Sequence, residues 1–435
     1  MDATPAPRRG PLRPAERAPA PDLARGFMLL LIALANTPLY LYGSRQSPLG
    51  THPVDGSAAD RAVQFVMILA VDGRVYPMFA CLFGYGLVRI YDRQCAAGAS
   101  PRDAAAVVRR RNLWLLVLGF AHAALLFLGD VLAAYGLLGL VLGGLLLRRP
   151  ERAMRWTAAV LVGLTLVLWV FSAVGAALAA LAPSGAVGGT GADMSGILRS
   201  SFSEEDYLAS VADRLAAWAL LAPLQALTLV MPAMMALGLV LGRHRALERT
   251  DRHLRLLVAA AAVGIGLAWA SALPEALAHV GLVPANGAVT AALSGVRQLS
   301  GVLGGAGYVA LFALVGRAVS RRARPGPGTV AVIAVGKRSL SCYLAQSVLC
   351  APLLAAWGLG LGAHFGSAAT ALFAAGVWLV TLIGAYALER ADLPGPAEVL
   401  LRRLSYGPAA RSGGADGGGS GPGADPSGGS GTATR

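Results

Sequence analysis

Apolar runs of eighteen or more residues, separated by short basic clusters, recur along this chain. A helical run of that length spans the hydrocarbon of a bilayer, about 30 Å thick, and a backbone in lipid must satisfy its own hydrogen bonds. Of the 435 residues, 56% are hydrophobic and 14% charged, whereas a soluble domain has about a quarter charged. The sequence therefore predicts an all-α fold, a polytopic transmembrane helical bundle whose surroundings are the lipid bilayer.

The apolar runs predict ten spans, together with a shorter interfacial or re-entrant helix at residues 62–71. Basic residues favour the cytoplasmic flanks of membrane helices, and all but six of the 37 lie at the chain ends and in alternate loops. This bias predicts a multi-pass protein of the bacterial plasma (inner) membrane with both ends in the cytoplasm. The ten predicted spans are residues 25–43, 75–91, 112–128, 131–147, 156–182, 214–241, 255–280, 289–316, 339–357 and 367–388.

The same pattern divides the chain into five segments. Residues 1–21 are predicted to be a disordered cytoplasmic N-terminus, and residues 22–182 an N-terminal transmembrane half. Residues 183–213 form an extracytoplasmic loop in this interpretation, followed by a C-terminal transmembrane half at 214–407. Residues 408–435 are rich in glycine and serine, so they lack the apolar surface needed to fold and are predicted to be a disordered cytoplasmic tail.

Charge and cysteine content exclude other classes of protein. The net charge of +14 is spread between apolar runs and does not form one basic stripe, so we predict no nucleic-acid partner. The four cysteines form no C-x-x-C pair and have no zinc-ligand spacing with histidine. We therefore predict neither a metal site nor a cofactor.

Polar residues inside spans are costly and mark candidate functional sites. Asn36 follows Arg25 by eleven residues, which is about 1100° of helical rotation and about 16 Å of rise. This rotation is within about 20° of a whole number of turns, so the two residues share one helix face. His122 follows Arg111 by the same interval, which places Asn36 and His122 near the membrane midplane, and Asp130 follows nearer the outer surface. A midplane histidine is a general base, a proton carrier or a hydrogen-bonded strut. The predicted catalytic residues are His122, Asp130 and Asn36.

The ninth predicted span begins with two adjacent cations, Lys337 and Arg338, at the cytoplasmic surface. Such a helix start can hold an anionic group, for example the phosphates of a nucleotide-linked donor, although the two cations taken alone favour positive-inside anchoring. Tyr343 and Gln346 follow on one face of the same helix. The predicted anion-binding residues are Arg25, Lys337 and Arg338, and the predicted pocket-lining residues are Asp72, Tyr343 and Gln346.

Several separated motifs in this order resemble the family of domain of unknown function 418 (DUF418), the YeiB-type bacterial membrane proteins. The resemblance covers residues 22–407. The segments that carry it are Asp22-x-x-Arg25-Gly-Phe with Asn36, Asp72 to Gly86, Gly119-Phe-Ala-His122, Gly129-Asp130, Gly336 to Ser347 and Arg403 to Gly407.

This family is similar in topology and first-helix pattern to membrane acyltransferases, which move acyl groups from a cytoplasmic thioester donor to extracytoplasmic sugars. Those enzymes commonly show Arg, ten residues, then His, whereas this chain has Asn36 at the histidine position. The resemblance therefore implies that His122 or His52 supplies proton transfer, if acyl transfer is retained.

Two functional hypotheses follow, with a purely structural role as a third. The first is a transmembrane acyl or small-group transferase that uses a cytoplasmic acyl-thioester donor and an extracytoplasmic acceptor. The second is a transporter or exporter of a small anionic or amphipathic solute, in which His122 and Asp130 relay protons.

Overall fold

The computed structural model describes residues 19–46, 52–181, 194–322 and 325–406. These residues form sixteen α-helices and, between them, no β-strand, with a single isolated bridge from Gln46 to Pro53. The predicted all-α fold is confirmed. The helices are α1 (Pro19–Asn36), α2 (Ala58–Val66), α3 (Val75–Ala96), α4 (Pro101–Leu125), α5 (Leu132–Leu146), α6 (Glu151–Leu181), α7 (Met194–Ser203), α8 (Tyr207–Leu227), α9 (Val230–Arg243), α10 (Leu254–His279), α11 (Gly287–Leu299), α12 (Gly301–Ser320), α13 (Pro327–Lys337), α14 (Ser339–Leu354), α15 (Ser367–Arg390) and α16 (Pro396–Tyr406).

Six helical runs in the described part of the chain are long and apolar enough to cross a membrane, or seven if α8 and α9, bent by 52° at their junction, form one span. The outermost of these helices is α6, where 11% of the most apolar window is buried, against 61% in α1. Large side chains such as Phe171 and Leu181 are exposed on α6. An apolar helix face of this size is stable against lipid and unfavourable in water, as expected of a membrane protein.

Each of the ten predicted spans is helical, but several boundaries were wrong. The third predicted span, 112–128, ends at Leu125, after which the chain turns through residues 126–131 into α5. The eighth, 289–316, is divided at Ser300 into α11 and α12. At this break a β-carbon on Gly301 would lie 2.2 Å from the carbonyl oxygen of Gly73, so the close approach of the 72–74 turn requires glycine.

Two predicted loops contain helices. The predicted cytoplasmic connection before the ninth span contains α13, whose apolar residues pack against α1 and α15. Helix α13 begins with Pro327, a residue suited to the first turn of a helix. The predicted outer loop 183–213 contains α7 and the start of α8. Its residues 183–193 lie outside the described residues, as do residues 1–18 of the predicted N-terminus and the whole predicted tail, 408–435.

The short helix predicted at residues 62–71 begins earlier, at Ala58, and Ser57 caps it. The backbone N–H of Asp60 donates to the Ser57 side chain at 3.2 Å, and the Asp60 carboxylate accepts from the Ser57 backbone N–H at 2.8 Å. This reciprocal capping satisfies two N–H groups that a helix start leaves unpaired. A π-helical turn over Met67–Val71 then leads to Asp72 and α3.

Candidate functional site

A cavity of about 310 Å³ lies at the end of the bundle where the arginines of α1, α3 and α4 gather. We call it the basic-end cavity. Its wall includes five basic side chains and three carboxylates, an excess of positive charge that suits an anionic ligand. Phe79, Phe83, Leu29 and Ile32 form an apolar section of the wall. The charged lining residues are Asp22, Arg25, Arg89, Arg93, Arg111, Glu248, Lys337 and Glu398.

Arg25 and Arg111 face this cavity from two different helices. Arg25 is paired with Asp22 at 3.3 Å, whereas Arg111 has no ion pair among the described residues and stacks over the Phe83 ring at 5.1 Å. The two guanidinium groups are close enough for their charges to repel each other. In the described structure these two neighbouring arginines have only the Asp22 carboxylate to balance them, so they leave a net positive charge. A bound oxyanion would neutralise this charge.

The other predicted anion-binding residues are already neutralised by the protein. Lys337 lines the cavity but is paired with Glu389, and Arg338 is paired with the same carboxylate at 2.7 Å. Arg338 does not line the cavity, and its guanidinium also donates to the carbonyl oxygen of Leu393. These contacts make Lys337 and Arg338 links between α13, α14 and α15.

The start of α14 is likewise occupied by a carboxylate of the chain itself. Glu398 of α16 accepts hydrogen bonds from the backbone N–H groups of Leu340 at 2.8 Å and Ser341 at 3.2 Å, and from the Ser341 hydroxyl. An anion at a helix N-terminus is stabilised by the unpaired N–H groups and the helix dipole. The anionic partner that the sequence suggested for this helix start is therefore Glu398, and Arg111 is a lining cation without an ion pair in the described part of the chain.

His122 and Asp130 form a buried hydrogen-bonded pair. The His122 Nδ1 lies 2.9 Å from Asp130 Oδ1, and the two side chains are 1% and 0% exposed. The second carboxylate oxygen accepts the backbone N–H of Ala133 at 2.8 Å, in the first turn of α5. The remaining ring nitrogen, Nε2, is buried without a hydrogen-bond partner in the described structure. The pair therefore presents one free imidazole nitrogen held in a fixed orientation.

The end of α4 at Leu125 makes this pair possible. If the helix had continued through residue 128 as predicted, Asp130 would lie about 80° round the helix from His122; instead the chain turns back and brings the carboxylate to the ring. Gly119, one turn before His122, permits this packing because a β-carbon there would lie 2.3 Å from Asp130 Oδ2 and 2.5 Å from the Ala133 nitrogen. Only glycine fits at this contact.

A second cavity, of about 20 Å³, lies deeper in the bundle. We call it the inner cavity. Tyr343 lines both cavities, and its ring centroid is 5.1 Å from that of His122. The predicted residues Asn36 and Gln346 also line the inner cavity; Gln346 Nε2 donates to the carbonyl oxygen of Leu29 at 3.3 Å. Tyr343 therefore stands between the basic-end cavity and the polar groups near mid-bundle.

Asn36 and His122 do not bond to each other. The Asn36 Oδ1 accepts a hydrogen bond from the Tyr76 hydroxyl at 2.6 Å. Asn36 shares the inner cavity with Tyr343 and Phe127, and His122 contacts the rings of both. The two predicted catalytic residues are thus neighbours on either side of aromatic side chains.

Asp72 lies apart from both cavities. It directly precedes α3, whose other end carries Arg89 and Arg93, so it is at the end of the bundle opposite the basic residues. Its carboxylate pairs with His52 Nε2 at 2.7 Å. Neither Asp72 nor His52 is among the residues that line the two cavities, so the pocket-lining role of Asp72 stays a prediction.

Sequence reasoning missed Arg111 and Tyr76 as site residues. The sequence singles out Arg111 only by its place eleven residues before His122, an interval that repeats the one from Arg25 to Asn36. This repeated interval is the sequence signal for Arg111 as a site residue. It places Arg25 and Arg111 at one depth in the membrane, and the Asn36 amide and the His122 imidazole at another. Nothing in the sequence indicates that Tyr76 reaches Asn36.

Chemically, the pair resembles the carboxylate–imidazole part of a proton-transfer site. The carboxylate fixes the ring with the proton on Nδ1, which leaves Nε2 as an acceptor for a substrate proton. Among the described residues no group of three or more His, Cys, Asp or Glu side chains is arranged to hold a metal ion. The His122–Asp130 pair offers proton transfer, and Arg25 and Arg111 offer oxyanion binding.

Comparison with known proteins agrees with the resemblance seen in the sequence. The family model "Protein of unknown function (DUF418)" matches residues 241–408. The uncharacterized protein YeiB of Escherichia coli (strain K12) is 28% identical over 406 residues, which cover 90% of this chain and 96% of YeiB. The uncharacterized protein YxaH of Bacillus subtilis (strain 168) is 32% identical over 147 residues, 32% of this chain and 35% of YxaH. The chain is therefore similar to YeiB over nearly its whole length, and its residues 241–408 match the DUF418 family.

Proposed function

We propose that this protein is a transmembrane acyl or small-group transferase that takes its donor from the cytoplasm and its acceptor from outside. The observation that carries the proposal is the free Nε2 of His122, held by Asp130 and adjacent to Tyr343, which lines the basic-end cavity. An oriented base beside an anion-binding cavity is what transfer from an anionic, activated donor requires.

In this proposal Arg25 and Arg111 bind the phosphates of an acyl-thioester donor, and the apolar wall holds its acyl arm toward Tyr343. The acceptor hydroxyl gives its proton to His122 Nε2 as its oxygen attacks the acyl carbon. The carbon–sulfur bond then breaks, and the thiolate leaves and takes up that proton. Asn36, whose amide is oriented by Tyr76, lies near enough to position the reacting carbonyl.

The proposed topology has ten spans with both ends in the cytoplasm, in a bacterial plasma membrane. Counting α8 and α9 as one, seven spans in the described residues meet the length and composition expected of a crossing helix, so ten crossings require α4, α5 and α14 to cross as well. Helices α5 and α14 are short, with 15 and 16 residues, and α4 carries Arg111 in its sequence. The repeated excess of arginine in alternate connections supports placing the basic end in the cytoplasm.

Transport of a small anionic or amphipathic solute is the second candidate. The observation in its favour is asymmetry: the basic-end cavity is large, whereas the rings of Tyr40, Phe127 and Phe202 pack together on the far side of the inner cavity. A path open at one end and closed at the other suits alternating access. His122 and Asp130 would then carry protons.

Ligand-induced thermal stabilisation of the purified full-length protein tests the proposal. Acetyl-coenzyme A, as an acyl-thioester probe, should stabilise the protein by about 2.7 kcal/mol at a hundredfold excess over its Kd. Arg111→Gln should lose this stabilisation, and Arg110→Gln, at the exposed neighbouring position, should keep it. Stabilisation by free small anions but not by the thioester supports transport and rules out the proposed donor.

A further inference from the structure

Arg214 is a buried cation that the proposed reaction has not used. It belongs to α8 and is 0% exposed. Its Nε and Nη2 both donate to the carbonyl oxygen of Ala124, at 3.2 and 3.0 Å, and its Nη1 donates to the Ser210 hydroxyl at 3.0 Å. No carboxylate pairs with it within the described ranges. A guanidinium has five N–H donors, and two of those of Arg214 make no hydrogen bond in the described structure. Its charge faces the rings of Tyr207 and Trp357, whose centroids lie 5.4 and 5.9 Å from the guanidinium carbon, rather than a carboxylate. A buried cation without an anionic partner is costly in a protein interior.

Two polar groups near Arg214 lack hydrogen-bond partners in the described part of the chain. Tyr40 is 1% exposed, and its hydroxyl, which interacts electrostatically with Arg214, has no hydrogen-bond partner in the described part of the chain. The indole Nε1 of Trp357 is buried without a partner as well, and the Trp357 ring centroid lies 5.9 Å from the guanidinium carbon. A phenol and an indole, both hydrogen-bond donors, thus lie near the guanidinium in this place.

This place is next to the candidate catalytic pair but on the side away from Arg25. Ala124, which accepts from Arg214, follows His122 by two residues in the last turn of α4. Tyr40 lines the inner cavity and stacks on Phe127, whose ring contacts His122. Arg214 therefore lies between the inner cavity and the end of the bundle opposite the basic-end cavity.

We propose that Arg214, Tyr40 and Trp357 bind an oxyanion, a carboxylate or phosphate carried by the acceptor. The inference rests on the proposed function, because it assigns the chemistry of the acceptor that reaches His122 from outside. Two arginine sites would then flank the base, one for the donor and one for the acceptor. Phe202 of α7 packs on Tyr40 with ring centroids 4.4 Å apart, so the acceptor enters when this cover moves aside.

The competing explanation is that Arg214 only ties α8 to the carboxyl end of α4. The carbonyl of Ala124 lies in the negative end of the helix dipole, where a cation is favourable. A structural tie predicts loss of stability on substitution and no response to added oxyanions. An oxyanion site predicts a response that depends on the Tyr40 hydroxyl, which makes no bond that a tie would need.

The test is anion titration of the full-length protein in nanodiscs, followed by tryptophan fluorescence. Inorganic phosphate and acetate are the two probes, with chloride at equal ionic strength as the reference. The Arg111→Gln background removes the proposed donor site. The Trp357 signal is the difference between this protein and the same protein carrying Trp357→Phe.

One or both oxyanions should change the Trp357 signal saturably, and the more effective probe identifies the acceptor group as phosphate or carboxylate. Tyr40→Phe should weaken the apparent affinity about tenfold, the effect of losing one hydrogen bond to a charged group, and Arg214→Lys should weaken it further. An absent signal, or an affinity unchanged by both substitutions, overturns the oxyanion site. Stabilisation by acetyl-coenzyme A in the protein with Arg111 intact is measured separately, so failure of this inference is distinct from failure of the proposed transferase.

Discussion

Replacing His122 by two different residues separates its hydrogen bond to Asp130 from its free nitrogen. His122→Ala removes both and leaves a fully buried carboxylate with the Ala133 N–H as its remaining donor. Leaving a buried charged group without its hydrogen-bond partner costs about 3 kcal/mol. His122→Asn places an amide N–H near the position of Nδ1, so it keeps a donor to Asp130 while it removes Nε2.

We therefore expect His122→Ala to be strongly destabilised and His122→Asn to lose less than half as much unfolding free energy. The double variant His122→Ala with Asp130→Ala should be less destabilised than the sum of the two single variants. Each single variant leaves one buried polar group without its partner, whereas the double variant removes both groups. Donor turnover should nevertheless fall about a hundred- to ten-thousand-fold in His122→Asn, the usual contribution of a general base.

Thermal and denaturant unfolding of the purified proteins in one detergent measure the stability differences. Equal stability of His122→Ala and His122→Asn would show that the bond to Asp130 contributes little. Normal turnover in a folded His122→Asn protein would remove the proposed role of Nε2, and additive losses in the double variant would mean that the two residues act independently.

Three further predictions concern packing, the C-terminus and topology. Gly119→Ala should lower stability and turnover together, because the added β-carbon would meet Asp130. Gly144→Ala should have little effect, because the space around Gly144 is open. Equal melting temperatures of the two variants would contradict the close contact at Gly119. Truncation after Gly407 should leave folding and insertion nearly unchanged. Truncation after Leu393 also removes α16, whose Glu398 caps the start of α14, and should reduce the folded yield. Equal yields from both truncations would refute this capping role. Reporter fusions at Arg249 and Asn286 should report cytoplasm and outside respectively, and fusions reporting the same side would refute the proposed crossing by α10.

The helical fold was predictable because its cause is local. Long apolar runs fix helix formation in lipid without knowledge of tertiary contacts, and each predicted span is helical. Boundaries were less predictable where tertiary packing decides them. The break at Ser300 depends on the approach of Gly73 to Gly301, and the end of α4 depends on Asp130 folding back to His122.

The sequence predicts how deep in the bundle the candidate site residues lie, but not which side chains they pair with. Helical spacing placed Arg25 near the end of the bundle and His122 near its middle, and it identified Tyr343 and Gln346 as one face. It could not show that Glu389 neutralises Lys337, because the two residues are 52 positions apart and on different helices. Such pairings arise from helix packing, which no single helix encodes.

Consumption of labelled acetyl-coenzyme A by oriented membrane vesicles tests the central claim most directly. Inverted vesicles that contain the wild-type protein and its native acceptors should transfer the label from the thioester to the opposite face, and right-side-out vesicles given the same donor should not. Vesicles with the same amount of folded His122→Asn protein should bind the donor and transfer almost none of the label. Equal transfer by the two proteins, or equal transfer in both vesicle orientations, contradicts a His122 base served by a donor site at the cytoplasmic end.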